Sequence, residues 1–250
     1  MCVASASYAS TFDECWEKIK GADLSEGTTN SQFEEPKPRK LLCIPHRNPF
    51  NSKKSGEKSL IITLSRISYS ETEPIHWELL SSIYGHLNPE SEMPARFGDH
   101  WITVGFQGEN PATDLRGAGV FGLCQLLYIV SGGLDKEFLS RTMITANDNE
   151  NGFPFAVVGL NVTHMLLKRI KSGKMDRYLD KKISLIDLLN RVYARSFLEV
   201  MQIWWKAKCT ICDFQVILAV IGKRMKKPKR FLRSPVGSVQ FPLKNSETRV

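Results

Sequence analysis

No run of apolar residues in this sequence approaches the roughly 20 needed for a helix to cross a bilayer. Stretches such as residues 216–221 fall far short. The opening MCVASASYAS lacks the basic n-region and apolar h-region of a secretory signal. The six cysteines lack any framework spacing, being scattered as Cys2, Cys15, Cys43, Cys124, Cys209 and Cys212. They read as free thiols of a reducing compartment, so the chain is expected in the cytoplasm. The lone Cys209-Thr-Ile-Cys212 pair has no second pair and no adjacent histidine. That is too little for a zinc site, and no metal or cofactor is expected to be held by this chain. No internal repeat is visible, and strand signals are nearly absent.

Acidic residues are missing from one segment. Residues 223–233 (KRMKKPKRFLR) carry seven basic side chains and no carboxylate. The formal net charge of the chain is +8, so without this segment the remainder is close to neutral. The basicity is therefore local, which argues against a nucleic-acid-binding face spread over the fold. No aromatic interleaving or known module accompanies it. The segment reads first as a solvated helix end. Anionic lipid, or the acidic rim of a protein partner, is the functional alternative.

What is present suffices for a core. Hydrophobic residues make up 42% of the 250 positions, ordinary for one large domain or two small ones. Residues 1–58 are dominated by proline, serine and charge, and read as a weakly ordered N-terminal region in which Trp16, Leu41 and Leu42 are candidates for local docking. From residue 59 to 232 the pattern becomes helical. Residues 60–64 form a short apolar run, read as helix rather than strand. Trp77, Leu80, Tyr84 and Leu87 share a helical face that Pro74 opens. A helix over residues 113–130 would be capped by Thr113 or Asp114 and ended by Gly132 and Gly133. Further helices are expected over residues 154–171, from a Ser184/Asp187 capping box through Trp204, and from Asp213 to near Pro228. The expected fold is all-α: a single multi-helix domain followed by an irregular tail over residues 233–250.

The densest segment is WITVGFQGENPATDLRGAGVFGLCQLL, residues 101–127. Gly105, Gly108, Gly117, Gly119 and Gly122 crowd a helix start, where each glycine costs roughly 1 kcal/mol against alanine. Such crowding signals close approach, between backbones or to a ligand. Arg116 stands between Leu115 and Gly117 with little bulk beside it, free to reach outward.

Trp101, Gly105, Phe106, Gln107, Pro111, Thr113, Asp114, Leu115, Arg116, Gly117, Gly119, Leu123 and Leu126 fall at the spacing of a known signature. The segment resembles that of the ELMO domain-containing proteins. The likeness covers about residues 60–232, including FPFAVVGLNVTHM and NRVYARSFLEVMQIWW. It implies a GTPase activator for Arf/Arl-family small GTPases in their GTP form, with Arl proteins a known kind of substrate. It implies that the signature arginine, here Arg116, is essential. The larger engulfment-and-motility relatives share the fold but lack this arginine and scaffold an exchange factor. Arg116 thus places the chain with the activating branch.

An arginine inserted into a GTPase site neutralises charge that develops on the phosphoryl oxygens, which is worth about 10³- to 10⁵-fold in rate. Mg²⁺ and nucleotide belong to the partner. Asp114 is read as the cap that aims Arg116, and Thr113 as a cap. Gln107 is read as orienting water or the partner's switch region, or equally as a loop residue bonding backbone. Gly117 would let the loop approach the partner. Trp101 and Phe106 are read as core.

Two further features complete the reading. The terminal Glu247, Thr248, Arg249 and Val250 have the form that PDZ domains read by strand addition. Together with the N-terminal region they motivate a second reading, a non-catalytic GTPase-binding scaffold linked to the cytoskeleton. Beyond Leu232 the chain departs from its relatives, which continue in helix. Such a departure is what a domain lacking its closing helix would show.

Overall fold

Nine consecutive residues, Gly119 to Leu127, are buried, so the helix that carries them has no solvent face to alternate with. This helix, α5 (Gly119–Tyr128), is the axis of the fold in a computed structural model that describes residues 6–22, 52–178 and 183–237. Around it pack α1 (Phe12–Gly21), α2 (Ser52–Leu64), α3 (Pro74–Leu87), α7 (Phe155–Lys171) and α8 (Leu185–Ala207). The short α4 (His100–Thr103) precedes it, and α6 (Lys136–Ala146) follows. Next to α8 lie α9 (Phe214–Met225) and α10 (Pro228–Arg233). Among the described residues there is no strand, and no single helix is long and apolar enough to cross a membrane.

Small residues shape the crossing of α5 and α7. A Cβ on Gly122 of α5 would come 2.6 Å from Leu160 Cδ2 of α7. One on Gly159 of α7 would come 2.5 Å from Leu126 Cδ2 of α5. A leucine of each helix therefore sits directly on a glycine of the other, and a methyl group at either position would have to displace it.

Several expectations are met. Pro74 opens α3, and Trp77, Tyr84 and Leu87 pack against the core with Leu80 inside it. Ser184 Oγ accepts the Asp187 amide at 3.1 Å and starts α8. Trp16 does dock, on a helix α1 that Thr11 and Glu14 close with a capping box and that also buries Phe12, Cys15 and Ile19. Leu41 and Leu42 lie outside the described residues.

Other expectations are corrected. The helix expected over residues 113–130 is three pieces: a 3-10 helix Pro111–Gly117, then α5, then a π-helical turn Ile129–Gly133. The 3-10 segment meets the following helix at 107°. Helix α6, absent from the sequence reading, is capped by Asp135, whose carboxylate accepts the Glu137 and Phe138 amides. The last expected helix ends at Met225, and Pro228 opens a further one, α10. The Cys209/Cys212 spacing is that of a helix start. Thr210 and Asp213 form a capping box there, Cys209 is buried and Cys212 is exposed.

The described part of the C-terminal segment is tied down. Arg195 Nη2 on α8 donates to Glu199 Oε1 at 2.5 Å and to the carbonyls of Ser234 and Pro235 at 2.8 Å. Glu199 Oε2 accepts the Gly237 amide at 3.2 Å. Glu199 is fully buried, so this pair straps residues 231–237 onto α8.

Two histidines pin loops to α3. The Ser70 amide donates to His76 Nδ1 at 3.1 Å, and His86 Nε2 bonds the Ser10 carbonyl at 2.9 Å. Burial lowers both from the usual 6.5. The unfolded chain then binds more protons than the folded one. Their contribution to stability is full above pH 6.5 and is lost as pH falls from there toward the folded values. Thermal melts across this acidic range are expected to show a falling Tm. The slope should be shallower in His76→Asn, which keeps an acceptor for Ser70 but does not titrate.

Candidate functional site

The turn that carries Arg116 begins with Asn110, whose side chain accepts the Ala112 amide at 3.0 Å. Pro111 follows at the first helical position, where its missing N–H costs nothing. Asn110 is thus the cap, not Thr113 or Asp114. Thr113 sits inside the 3-10 helix, and its hydroxyl donates to the Asn110 carbonyl at 2.9 Å. Leu115 and Pro111 are buried and hold the turn to the core.

Asp114 does a different job from the one expected. Its Oδ2 accepts the Gln107 backbone amide at 2.7 Å, seven residues upstream. It therefore joins the loop after α4 to the turn that bears Arg116. Gln107 is exposed, and its role in the loop runs through its backbone. Trp101 and Phe106 are core, as expected. Trp101 Nε1 donates to the Arg96 carbonyl at 3.0 Å, and its ring meets Phe106 edge-on at 6.0 Å.

The glycines answer to internal neighbours more than to an outside partner. Gly119 has φ +56°, and a Cβ there would meet the carbonyl oxygens of Leu64 at 2.5 Å and Ile67 at 2.7 Å. The Val120 amide donates to the same Ile67 carbonyl at 3.1 Å, which fixes the start of α5 on the end of α2. Gly105 has φ +91°, and a Cβ there would collide with the amide nitrogen of Phe155. The carbonyls of Val104 and Gly105 accept the amides of Ala156 at 3.3 Å and Val157 at 3.2 Å. The loop thus caps α7, whose own N-cap is Pro154 and offers no side-chain bond.

Gly117 was expected to yield space to a partner. The space its missing Cβ leaves is taken by the imidazole of His164 on α7. His164, which no sequence pattern singled out, is therefore part of the site. Desolvation of its ring lowers its pKa from 6.5, so it is neutral at neutral pH and does not add a second charge beside Arg116. Of the five glycines in the segment, Gly108 alone faces open space.

Arg116 itself is exposed and makes no hydrogen bond or ion pair among the described residues. The chemistry available here is a free guanidinium on a turn braced from three sides: by Asp114 through Gln107, by His164 through Gly117, and by the end of α2 through Gly119.

Gly117→Ala is expected to push His164 aside and cost about 1 kcal/mol, because the obstacle is the movable end of a side chain. Urea denaturation should show that His164→Ala added to Gly117→Ala recovers most of the loss. Additive losses would mean that the two residues do not touch.

The ELMO/CED-12 family model matches residues 59–218. ELMO domain-containing protein 3 of Homo sapiens is 31% identical over 179 residues, 71% of this chain and 47% of its own length. ELMO domain-containing protein B of Dictyostelium discoideum is 30% identical over 163 residues, 65% of this chain and 56% of its own. ELMO domain-containing protein 2 of Homo sapiens is 32% identical over 130 residues, 50% of this chain and 43% of its own. The chain therefore spans about half the length of the curated relatives it matches. No solved structure matches it. With its braced signature turn lying inside the matched span, the chain belongs to the ELMO/CED-12 family.

Proposed function

We propose that this chain accelerates GTP hydrolysis by a small GTPase of the Arf/Arl family, with Arg116 entering the partner's active site. One observation carries the reading: the signature arginine is exposed and has no partner among the described residues, on a turn whose backbone is held by Asp114, His164 and the end of α2. An arginine serving only the fold would be expected to meet a carboxylate or a carbonyl. Arginine suits the task because it stays charged and offers a planar fork of donors to phosphoryl oxygens. Bracing matters because a finger already held in place loses less conformational freedom on docking.

In this reading Asp114 and Gly117 are positioning residues, and Thr113 closes the turn. Gln107 presents an exposed side chain near the same loop, where it would contact the GTPase. Nucleotide and Mg²⁺ are supplied by the GTPase.

The test is single-turnover GTP hydrolysis by a panel of Arf and Arl proteins, with the wild-type chain and Arg116→Ala. Acceleration that depends on Arg116 supports the proposal. A chain that binds the GTP-loaded protein without faster hydrolysis is instead a non-catalytic scaffold, the second reading. The terminal PDZ-type motif, which lies outside the described residues, also bears on that reading. A PDZ-array pulldown comparing the intact chain with one lacking Val250 tests it.

A further inference from the structure

We propose that the corner between α9 and α10 is a binding site for a ligand carrying several adjacent phosphate groups. An open concavity of about 790 Å³ lies there, lined by Tyr178, Lys226, Lys227, Lys229, Arg230 and Arg233. Five of the six lining residues are cationic and none is a carboxylate. Lys226, Lys227, Arg230 and Arg233 form no ion pair among the described residues. Asp176, two residues before Tyr178, is already held by Lys58 at 2.9 and 3.1 Å.

The backbone that bears these cations is anchored. Met225, Pro228 and Phe231 are buried beneath it. Tyr178 donates its hydroxyl to the Lys226 carbonyl at 3.1 Å. Arg195 holds the carbonyls of Ser234 and Pro235 just beyond. The backbone beneath the charges is thus fixed. Its volume falls within the roughly 300–1,000 Å³ usual for small-ligand sites.

Helix ends explain only part of the cluster. Cations favour the last turn of a helix, which accounts for Arg230 and Arg233 in α10 and for Lys226 after α9. Lys227 and Lys229 flank the start of α10, where a cation opposes the helix dipole. Arginine and lysine together supply forked donors and point charges, the combination that clustered phosphates accept. Such a ligand is either a free polyphosphorylated compound or the headgroup of a phosphorylated lipid.

The full chain is tested by calorimetric titration with inositol hexakisphosphate. It is also tested by cosedimentation with phosphatidylcholine vesicles containing either a phosphatidylinositol bisphosphate or phosphatidylserine. Lys227→Gln/Arg230→Gln/Arg233→Gln is compared with a control of equal charge loss, Lys168→Gln/Arg191→Gln/Lys206→Gln. All six residues are exposed, and the control residues lie outside the concavity. The expected result is binding that weakens by about tenfold or more in the first variant and by less than about twofold in the control. Binding of inositol hexakisphosphate without vesicle enrichment supports the site and assigns it to a free phosphate compound. Enrichment on bisphosphate vesicles alone supports it and assigns it to a lipid headgroup. No binding to either probe, equal loss in both variants, or equal capture by phosphatidylserine vesicles overturns the proposal.

Discussion

Replacing Arg116 with alanine is expected to lower the acceleration of GTP hydrolysis by about 10³- to 10⁵-fold while leaving the melting temperature unchanged. The two halves of this expectation have one cause. The guanidinium is exposed and has no polar partner among the described residues, so its removal breaks no hydrogen bond or ion pair there. The partner's transition state, by contrast, would lose the one cation of this turn. Arg116→Lys keeps the charge but loses the planar fork, and should recover a minor share of the rate. Single-turnover assays and thermal melts on the same preparations separate the effects. An alanine variant that accelerates as well as wild type would remove Arg116 from the reaction. A variant that melts early would mean that the residue serves the fold.

The largest stability effect is expected at a site far from the signature in sequence. Glu199→Ala should destabilise the chain by about 3–5 kcal/mol, because it leaves the Arg195 charge buried without its carboxylate. Against a total of about 5–15 kcal/mol for a typical domain, that is a large share. It also removes the acceptor of the Gly237 amide, so the strap over α8 loosens at both partners. Replacing the pair together, Arg195→Met/Glu199→Met, should cost much less, since no charge is then left unpaired. Chemical denaturation measures both. A Glu199→Ala chain within about 1 kcal/mol of wild type would show that the carboxylate contributes little at this position.

Helices with one wet face were legible in the sequence. Those in α3, α7 and α8 announced themselves through apolar spacing and through Pro74 and Ser184. Helix α5 was misjudged because it is buried all round. With no polar face there is no period to read, and the break before it depends on a positive φ at Gly119 that only the contact with Leu64 and Ile67 explains. Helix α1 carried a readable signal, Thr11 with Glu14 three residues on, inside a segment whose composition suggested weak order. Likewise, Asn110 before Pro111 spelled out the true cap of the signature turn.

Arg116 could be found from the signature, but the residues that hold its turn could not. His164 lies on another helix, and no local pattern couples it to Gly117. The same holds for the strap. Arg195 and Glu199 look like an ordinary surface pair on α8 until Ser234, Pro235 and Gly237 cover them.

The cap that the loop after α4 places on α7 closes a circuit. From Arg116 the path runs through Asp114 to Gln107, back along the loop to the Gly105 carbonyl, and into the first turn of α7. It then follows α7 to His164 and returns, through Gly117, to the residue beside Arg116. In a circuit of this kind each member is held from two directions. A substitution at Gly105 reaches Arg116 by both routes at once, although it touches nothing near the guanidinium. Gly105, Gln107, Asp114, Arg116 and Gly117 are in this sense one part of the thirteen-position signature, joined through space as well as along the chain.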